Sequence, residues 1–154
     1  MKIYLMQHGE ARSKQDDPQR SLSDKGKQDV DKIAGFVARS GIRPGRIIHS
    51  GKLRAEQTAE IMAASISDGS TEVSDVINPD DNLAEFIEVI DNATDDLWVV
   101  GHLPFLSKLV SCLMTGDASQ VLIDYQPGTV VCLERDEIEN WLINWMLRPA
   151  LIVN

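Results

Sequence analysis

The chain has 154 residues, of which 43% are hydrophobic and 25% charged, and a formal net charge of −9 at pH 7. That length fits a single domain over 1–154 and can bury roughly 68–70% of its unfolded surface without staples. The acidic balance argues against nucleic acid and anionic membranes, which recruit basic surfaces; it does not exclude a small basic pocket, whose potential is set locally.

Lys2-Ile3-Tyr4-Leu5-Met6 reads as a buried strand running into Gln7-His8-Gly9. Ligands collect at the carboxyl ends of strands in open α/β folds, and Gly9 lets the backbone approach a ligand closely. Arg12 to Arg20, with Asp16-Asp17-Pro18, reads as a loop. Ser23 suits the cap of a helix whose Val30, Ile33, Ala34 and Val37 follow helical spacing, and Gly41 and Pro44 end it. Arg46 to His49 is a short buried strand. Lys52 to Ser67 is the next helix, with Leu53, Ile61, Met62 and Ile66 as its inner face. Glu72 to Val76 alternates weakly as an edge strand, and Asn78 to Asn82 is a turn cluster.

Leu83 to Ile90 reads as a short helix. Leu97 to Val100 is an apolar strand that stops at Gly101-His102, repeating the strand-to-His-Gly pattern of the first stretch. Pro104 suits the first turn of a helix that buries Phe105, Leu106, Leu109, Val110 and Leu113. Thr129 to Leu133 and Trp141 to Leu147 are β-rich runs split by a charged turn, which predicts a terminal hairpin. Alternating strands and helices predict a three-layer α/β/α sandwich around a mainly parallel sheet, with antiparallel character at the C-terminal hairpin. Cys112 and Cys132 have neither metal spacing nor a disulfide framework and read as buried thiols of a reducing cytoplasm. No leader-like segment and no apolar run of membrane-spanning length is read, so a cytoplasmic protein is expected.

The chain has three histidines, and two of them, His8 and His102, end strands beside a glycine. In a parallel sheet such ends share one edge. A neutral imidazole, with its unperturbed pKa of about 6.5, is a competent nucleophile at neutral pH. A second histidine and arginines can then balance charge on phosphoryl oxygens.

Three stretches, Leu5-Met6-Gln7-His8-Gly9-Glu10, Ser50-Gly51-Lys52-Leu53-Arg54-Ala55-Glu56-Gln57-Thr58-Ala59 and Val99-Val100-Gly101-His102-Leu103-Pro104, resemble in order the signatures of the histidine phosphatase superfamily. Within it the chain is most similar to the small phosphohistidine phosphatases of the SixA type. Arg20-Ser21-Leu22-Ser23 and Asn144-Trp145-Met146-Leu147-Arg148-Pro149 extend the likeness over nearly the whole chain. It departs at Gln7, where the family has an arginine before its catalytic histidine.

The resemblance implies a phosphoglycerate mutase-like fold and a phosphatase acting on protein phosphohistidine without metal or other cofactor. His8 would be the nucleophile that becomes phosphorylated, with Arg54 and His102 as the other catalytic residues. Arg20, Gly9 (through its backbone N–H) and Gln7 would bind the substrate. The implied partners are a phosphohistidine-bearing protein such as a phosphorelay domain, and phosphate or a similar anion in the pocket, with no nucleic acid or membrane; the chain would be a monomer or weak oligomer. An uncharged Gln7 is expected to leave the pKa of His8 less depressed than an arginine would. His49 is expected to be structural, Arg12 and Lys14 solvated, and Glu85 on a helix surface. The alternatives are an attenuated phosphate- or phosphoprotein-binding pseudoenzyme, a phosphomonoesterase for small substrates, and a metallohydrolase using His8, His49 and His102.

Overall fold

A computed structural model describes residues 1–153. Strand β1 (Lys2–Gln7) runs through the interior of a six-stranded sheet, because Ile3, Tyr4, Leu5 and Met6 are apolar on both faces and all are buried. It pairs in parallel with β4 (Leu97–Gly101), which pairs in parallel with β2 (Arg46–His49) and through it with β3 (Glu72–Val73). On its other side it pairs antiparallel with β5 (Val130–Arg135), and β5 with β6 (Trp141–Leu147). The order is β3-β2-β4-β1-β5-β6, so the expected terminal hairpin is present.

Helices cover both faces. Ile3, Leu5 and Val99 pack with Phe86 and Ile90 of α3 (Leu83–Asp91) and Phe105, Leu106 and Leu109 of α4 (Phe105–Thr115). Tyr4, Met6 and Val100 pack with Val30, Ile33 and Val37 of α1 (Asp24–Arg39) and with Ala59, Met62 and Ile66 of α2 (Leu53–Ile66). This is the expected three-layer sandwich. Its largest fully buried side chains are Trp98, Phe86 and Phe105; full burial of such an apolar side chain contributes about 1.5–3 kcal/mol. Tyr4 stacks on Trp98 with ring centroids 5.0 Å apart. Among the described residues no helix is long and apolar enough to cross a membrane.

Three local expectations are corrected. The edge strand β3 keeps only Glu72 and Val73, both exposed, because nothing covers it on its outer side. The inner face of α2 is built from Ala55, Thr58, Ala59, Met62, Ala63 and Ile66, whereas Leu53 and Ile61 are only half-buried. Small side chains let α1 and α2 lie close together, so alanines supply the contact that larger residues were expected to make. Pro104 stands at the N-cap of α4, one place before the first turn. Both cysteines are free thiols; Cys132 is buried and Cys112 half-buried.

The register places the chemistry. Gln7 lies opposite Gly101, and His49 opposite Val100. The residues that follow, His8, His102 and Ser50, therefore leave the sheet at the same edge. The segment after His8 is then held against the start of α1. Ser23 caps that helix, its Oγ accepting from the Gly26 amide at 3.0 Å. A Cβ on Gly26 would stand 2.1 Å from the Glu10 carbonyl oxygen, and one on Gly9 2.8 Å from Val30 Cγ2.

Gly-to-Ala inside a helix normally stabilises by about 0.8–1.0 kcal/mol. At Gly26 the sign is expected to invert. Gly26→Ala should destabilise by about 1–3 kcal/mol, the usual cost of overpacking, read as a lowered urea midpoint; a raised midpoint would contradict the close approach to Glu10.

Candidate active site

His8 is fixed at both ring nitrogens. Nδ1 lies 2.7 Å from the Gly9 carbonyl oxygen, and Nε2 accepts from Arg54 Nε at 3.3 Å. A carbonyl only accepts, so Nδ1 carries the proton and Nε2 is the unprotonated nitrogen, its lone pair held by Arg54 Nε–H until a phosphoryl group takes that donor. The backbone amide of His8 donates to the Gly101 carbonyl at 3.1 Å, which ties the end of β1 to the end of β4.

Arg54 lies in the first turn of α2. Thr58, one turn on, accepts from the Gly9 amide at 3.0 Å and donates to the Arg54 carbonyl at 2.8 Å. The Gly9 amide is thus engaged inside the protein, not free for a ligand as expected. Gly9 is required instead by the tight packing of Val30 and Leu22 around it. Arg20 comes from the loop, in a left-handed backbone conformation with φ +52°. Its Nε donates to the Arg12 carbonyl at 3.1 Å. The loop is anchored by Asp17, which accepts from the amide and hydroxyl of Ser21, and by Gln57 Oε1, which accepts from the Leu22 amide at 2.7 Å. Burial, and then the nearby Arg20 guanidinium, push the Arg54 pKa below its usual value, so the two guanidinium groups lie within each other's field.

His102 is 2% exposed, and its ring centroid lies 5.0 Å from that of His8. Its Nε2 is 2.5 Å from Ser50 Oγ, while its Nδ1 is buried without a protein partner. Burial pushes His8 down to about 4, helped by Arg54 and Arg20. Burial, then His8, Arg54, Lys52 and Arg20 push His102 down to about 3. Both imidazoles are therefore neutral near pH 7. Burial alone is the largest cause for His8, so its neutrality does not need a cation at position 7. The side-chain charges that shift the pair are cations or the other histidine; no carboxylate is among them.

Other residues are placed as follows. Gln7 ends β1 with its side-chain oxygen buried and without a protein partner. His49 is 1% exposed, its Nδ1 accepting from the Gly51 amide at 3.1 Å and its Nε2 3.4 Å from Thr71 Oγ1, so it serves the β2–α2 turn and does not join His8 and His102. Among the described residues no three His, Cys, Asp or Glu side chains cluster as a metal site would require. Glu10 accepts from Ser23 Oγ at 2.9 Å. Glu85 is exposed on α3 and lines a hollow with Arg46, Glu72 and Asp75, to which none of His8, Arg54 and His102 contributes. Arg12 faces Asp24 at 3.6 Å, and Lys14 is exposed. Ser50, Thr58 and Gln57 all lie within the second signature, yet no sequence signal pointed to their roles.

The depressed histidines set a direction for stability. Their pKa values fall from 6.5 in the unfolded chain to about 4 and about 3 when folded. Below pH 6.5 the unfolded chain binds more protons, so their contribution is intact above that value and is lost as pH falls toward 4. The urea midpoint should drop between pH 7 and pH 4.5, and a His8→Asn, His102→Asn double variant should lose less over that interval. An equal loss in both proteins would show that other groups govern the acid response.

No family model matches the chain. Along its length it is similar to phosphohistidine phosphatase SixA of Escherichia coli (strain K12), 24% identical over 156 aligned positions that cover 97% of this chain and 95% of that protein. The fold matches the protein histidine phosphatase SixA complexed with tungstate at a TM-score of 0.82, with 24% identity and coverage of 97% and 98% of the two chains. It also matches the alpha-ribazole phosphatase from Shigella flexneri at 0.80, with 13% identity and full coverage of both chains. With three signatures in order, His8, Arg54 and His102 brought together at one sheet edge and this end-to-end likeness, the chain is similar throughout to the SixA-type members of the histidine phosphatase superfamily.

Proposed function

We propose that this protein is a phosphatase that removes the phosphoryl group from a histidine of another protein, through a covalent phospho-His8. The observation that carries the reading is the paired fixation of His8, with Nδ1–H on the Gly9 carbonyl and the Nε2 lone pair facing the Arg54 guanidinium. A phosphoryl group brought to Arg54 is thereby brought to the nucleophile.

In the first step Nε2 forms a bond to phosphorus as the bond to the substrate imidazole breaks. The departing ring takes a proton from water and leaves neutral. The His8 ring becomes cationic, and the Gly9 carbonyl on Nδ1–H stabilises that charge. Arg54, Arg20 and His102 hold the equatorial oxygens, as charge-assisted bonds to phosphate do well. Water then attacks phosphorus and gives its proton to the hydroxide left by the first step, phosphate departs and Nε2 recovers its lone pair. Gln7 adds amide hydrogen bonding without charge. No metal ion takes part in this scheme.

The substrate class follows from the leaving group. A serine or sugar phosphate departs as a poor alkoxide unless an acid protonates it, and positioned proton transfer contributes about 10²–10⁴-fold. No carboxylate is among the groups that shift His8 or His102, and Glu85 lines another hollow. A phosphohistidine needs no such acid, because neutral imidazole is a stable leaving group.

The deciding experiment compares a phosphohistidine peptide with a phosphoserine peptide under one buffer. kcat/KM should favour the phosphoramidate by at least about 10²-fold, the lower end of the acid contribution, and equal rates would remove the assignment. An acid-labile, alkali-stable phosphoenzyme should form and vanish in His8→Ala; a variant that keeps its activity would refute the covalent route. Arg54→Ala should cost at least about 10²-fold in kcat, as removal of a preorganised donor does, and more than Arg20→Ala, whose Nε is already committed to the Arg12 carbonyl. Activity should survive chelator, whereas loss with recovery on a divalent ion would contradict the scheme.

A further inference from the structure

Among the described residues five buried side-chain polar atoms have no partner, and two of them, Gln7 Oε1 and His102 Nδ1, belong to residues at the sheet edge beside His8. A buried ring nitrogen left unpaired costs about 1–3 kcal/mol. It persists where a ligand supplies the missing partner. The other ring nitrogen of His102 is not free, because Ser50 Oγ sits 2.5 Å from Nε2.

We propose that Ser50 is a positioning residue: its hydroxyl donates to His102 Nε2 and so keeps the ring proton on Nδ1, where that N–H is reserved for a phosphoryl oxygen. The proton direction follows from the neighbours. The Lys52 amide donates to Ser50 Oγ at 3.4 Å. A backbone amide can only donate, so this contact uses one lone pair of Oγ, and among the described hydrogen bonds of Ser50 Oγ, His102 Nε2 is the one acceptor that can take its proton. The reverse arrangement, with Nε2–H donating to Oγ, would leave Nδ1 as a bare lone pair. A lone pair repels phosphoryl oxygens, whereas an N–H binds them. Both partners are held in place by the fold, since Ser50 is 8% and His102 2% exposed, and they follow β2 and β4, which are paired in register. Ser50 reaches the ligand only through His102, and its effect is to select a tautomer.

The phosphoryl half of this assignment rests on the function proposed above, while the tautomer half does not. The test uses whole protein labelled with ¹⁵N-histidine. Only three histidines need assigning, and His8→Gln and His49→Gln do so by subtraction. In the wild type, His102 should give a protonated, pyrrole-type Nδ1 and a pyridine-type Nε2. Ser50→Ala should shift population toward the Nε2–H form and lower kcat/KM by roughly tenfold, equal to about 1.4 kcal/mol. Ser50→Thr, which keeps the hydroxyl, should restore both, and it preserves the test if the alanine variant folds poorly. A wild-type proton on Nε2, or a folded Ser50→Ala variant with the wild-type tautomer, overturns the assignment even if activity falls. Titration with inorganic phosphate should move the His102 Nδ1–H resonance. If phosphate moves His8 but not that resonance, Nδ1–H is not the phosphoryl donor and the second half fails. If it moves neither ring, the pocket reading itself fails, while the tautomer result still judges Ser50.

Discussion

The hydrogen bond from the His8 amide to the Gly101 carbonyl, 3.1 Å long, is the constraint from which the site follows. It extends the β1–β4 ladder one step past the sheet, so that the residue after β1 and the residue after β4 turn out side by side. β2 is registered on β4 by the same ladder and delivers Ser50 to His102. Three segments far apart in sequence are placed by backbone pairing alone, and a one-residue slip would turn His8 to the other face. The apolar residues of β1 on both faces are what hold that register, because slippage would strand buried side chains.

On this frame the protein solves an electrostatic problem locally. The chain carries a net −9, yet the side-chain charges that shift the pair come from Arg54 and Arg20 and, for His102, also from His8 and Lys52. Burial keeps the imidazoles neutral, so the cations do not compete with protonated rings and the Nε2 lone pair stays available. Gln7 fits this balance. An arginine there would add charge to a field in which Arg20 already depresses Arg54.

The layers, the sheet with its terminal hairpin, and the two strand-end histidines were legible in the sequence, because apolar runs that stop at His-Gly pairs state both burial and position. Arg54 was legible only through its motif. The engagement of the Gly9 amide by Thr58 was not, because it is a side-chain contact between residues 49 apart. Ser50 beside His102 escaped for the same reason, across 52 residues. The inner face of α2 was misread toward Leu53 and Ile61 because periodicity weights large residues, while close helix packing selects Ala55, Ala59 and Ala63. Spacing reveals which face is inward; it does not reveal how near the neighbour stands.

The bond from the Leu22 amide to Gln57 Oε1 has a consequence for how the pocket meets its ligand. Gln57 lies on the same helix as Arg54, and Leu22 lies two residues beyond Arg20. Loop and helix are thus riveted together, and the bridge between Ala11 and Leu22 closes the loop at its base. The two guanidinium groups come from different segments but ride on one stiff frame. On the function proposed above, an anion entering between them would meet donors already held in place and would have little loop ordering to do. On that reading the entropy of immobilising a lid would be largely avoided, leaving alignment of the two molecules as the larger demand.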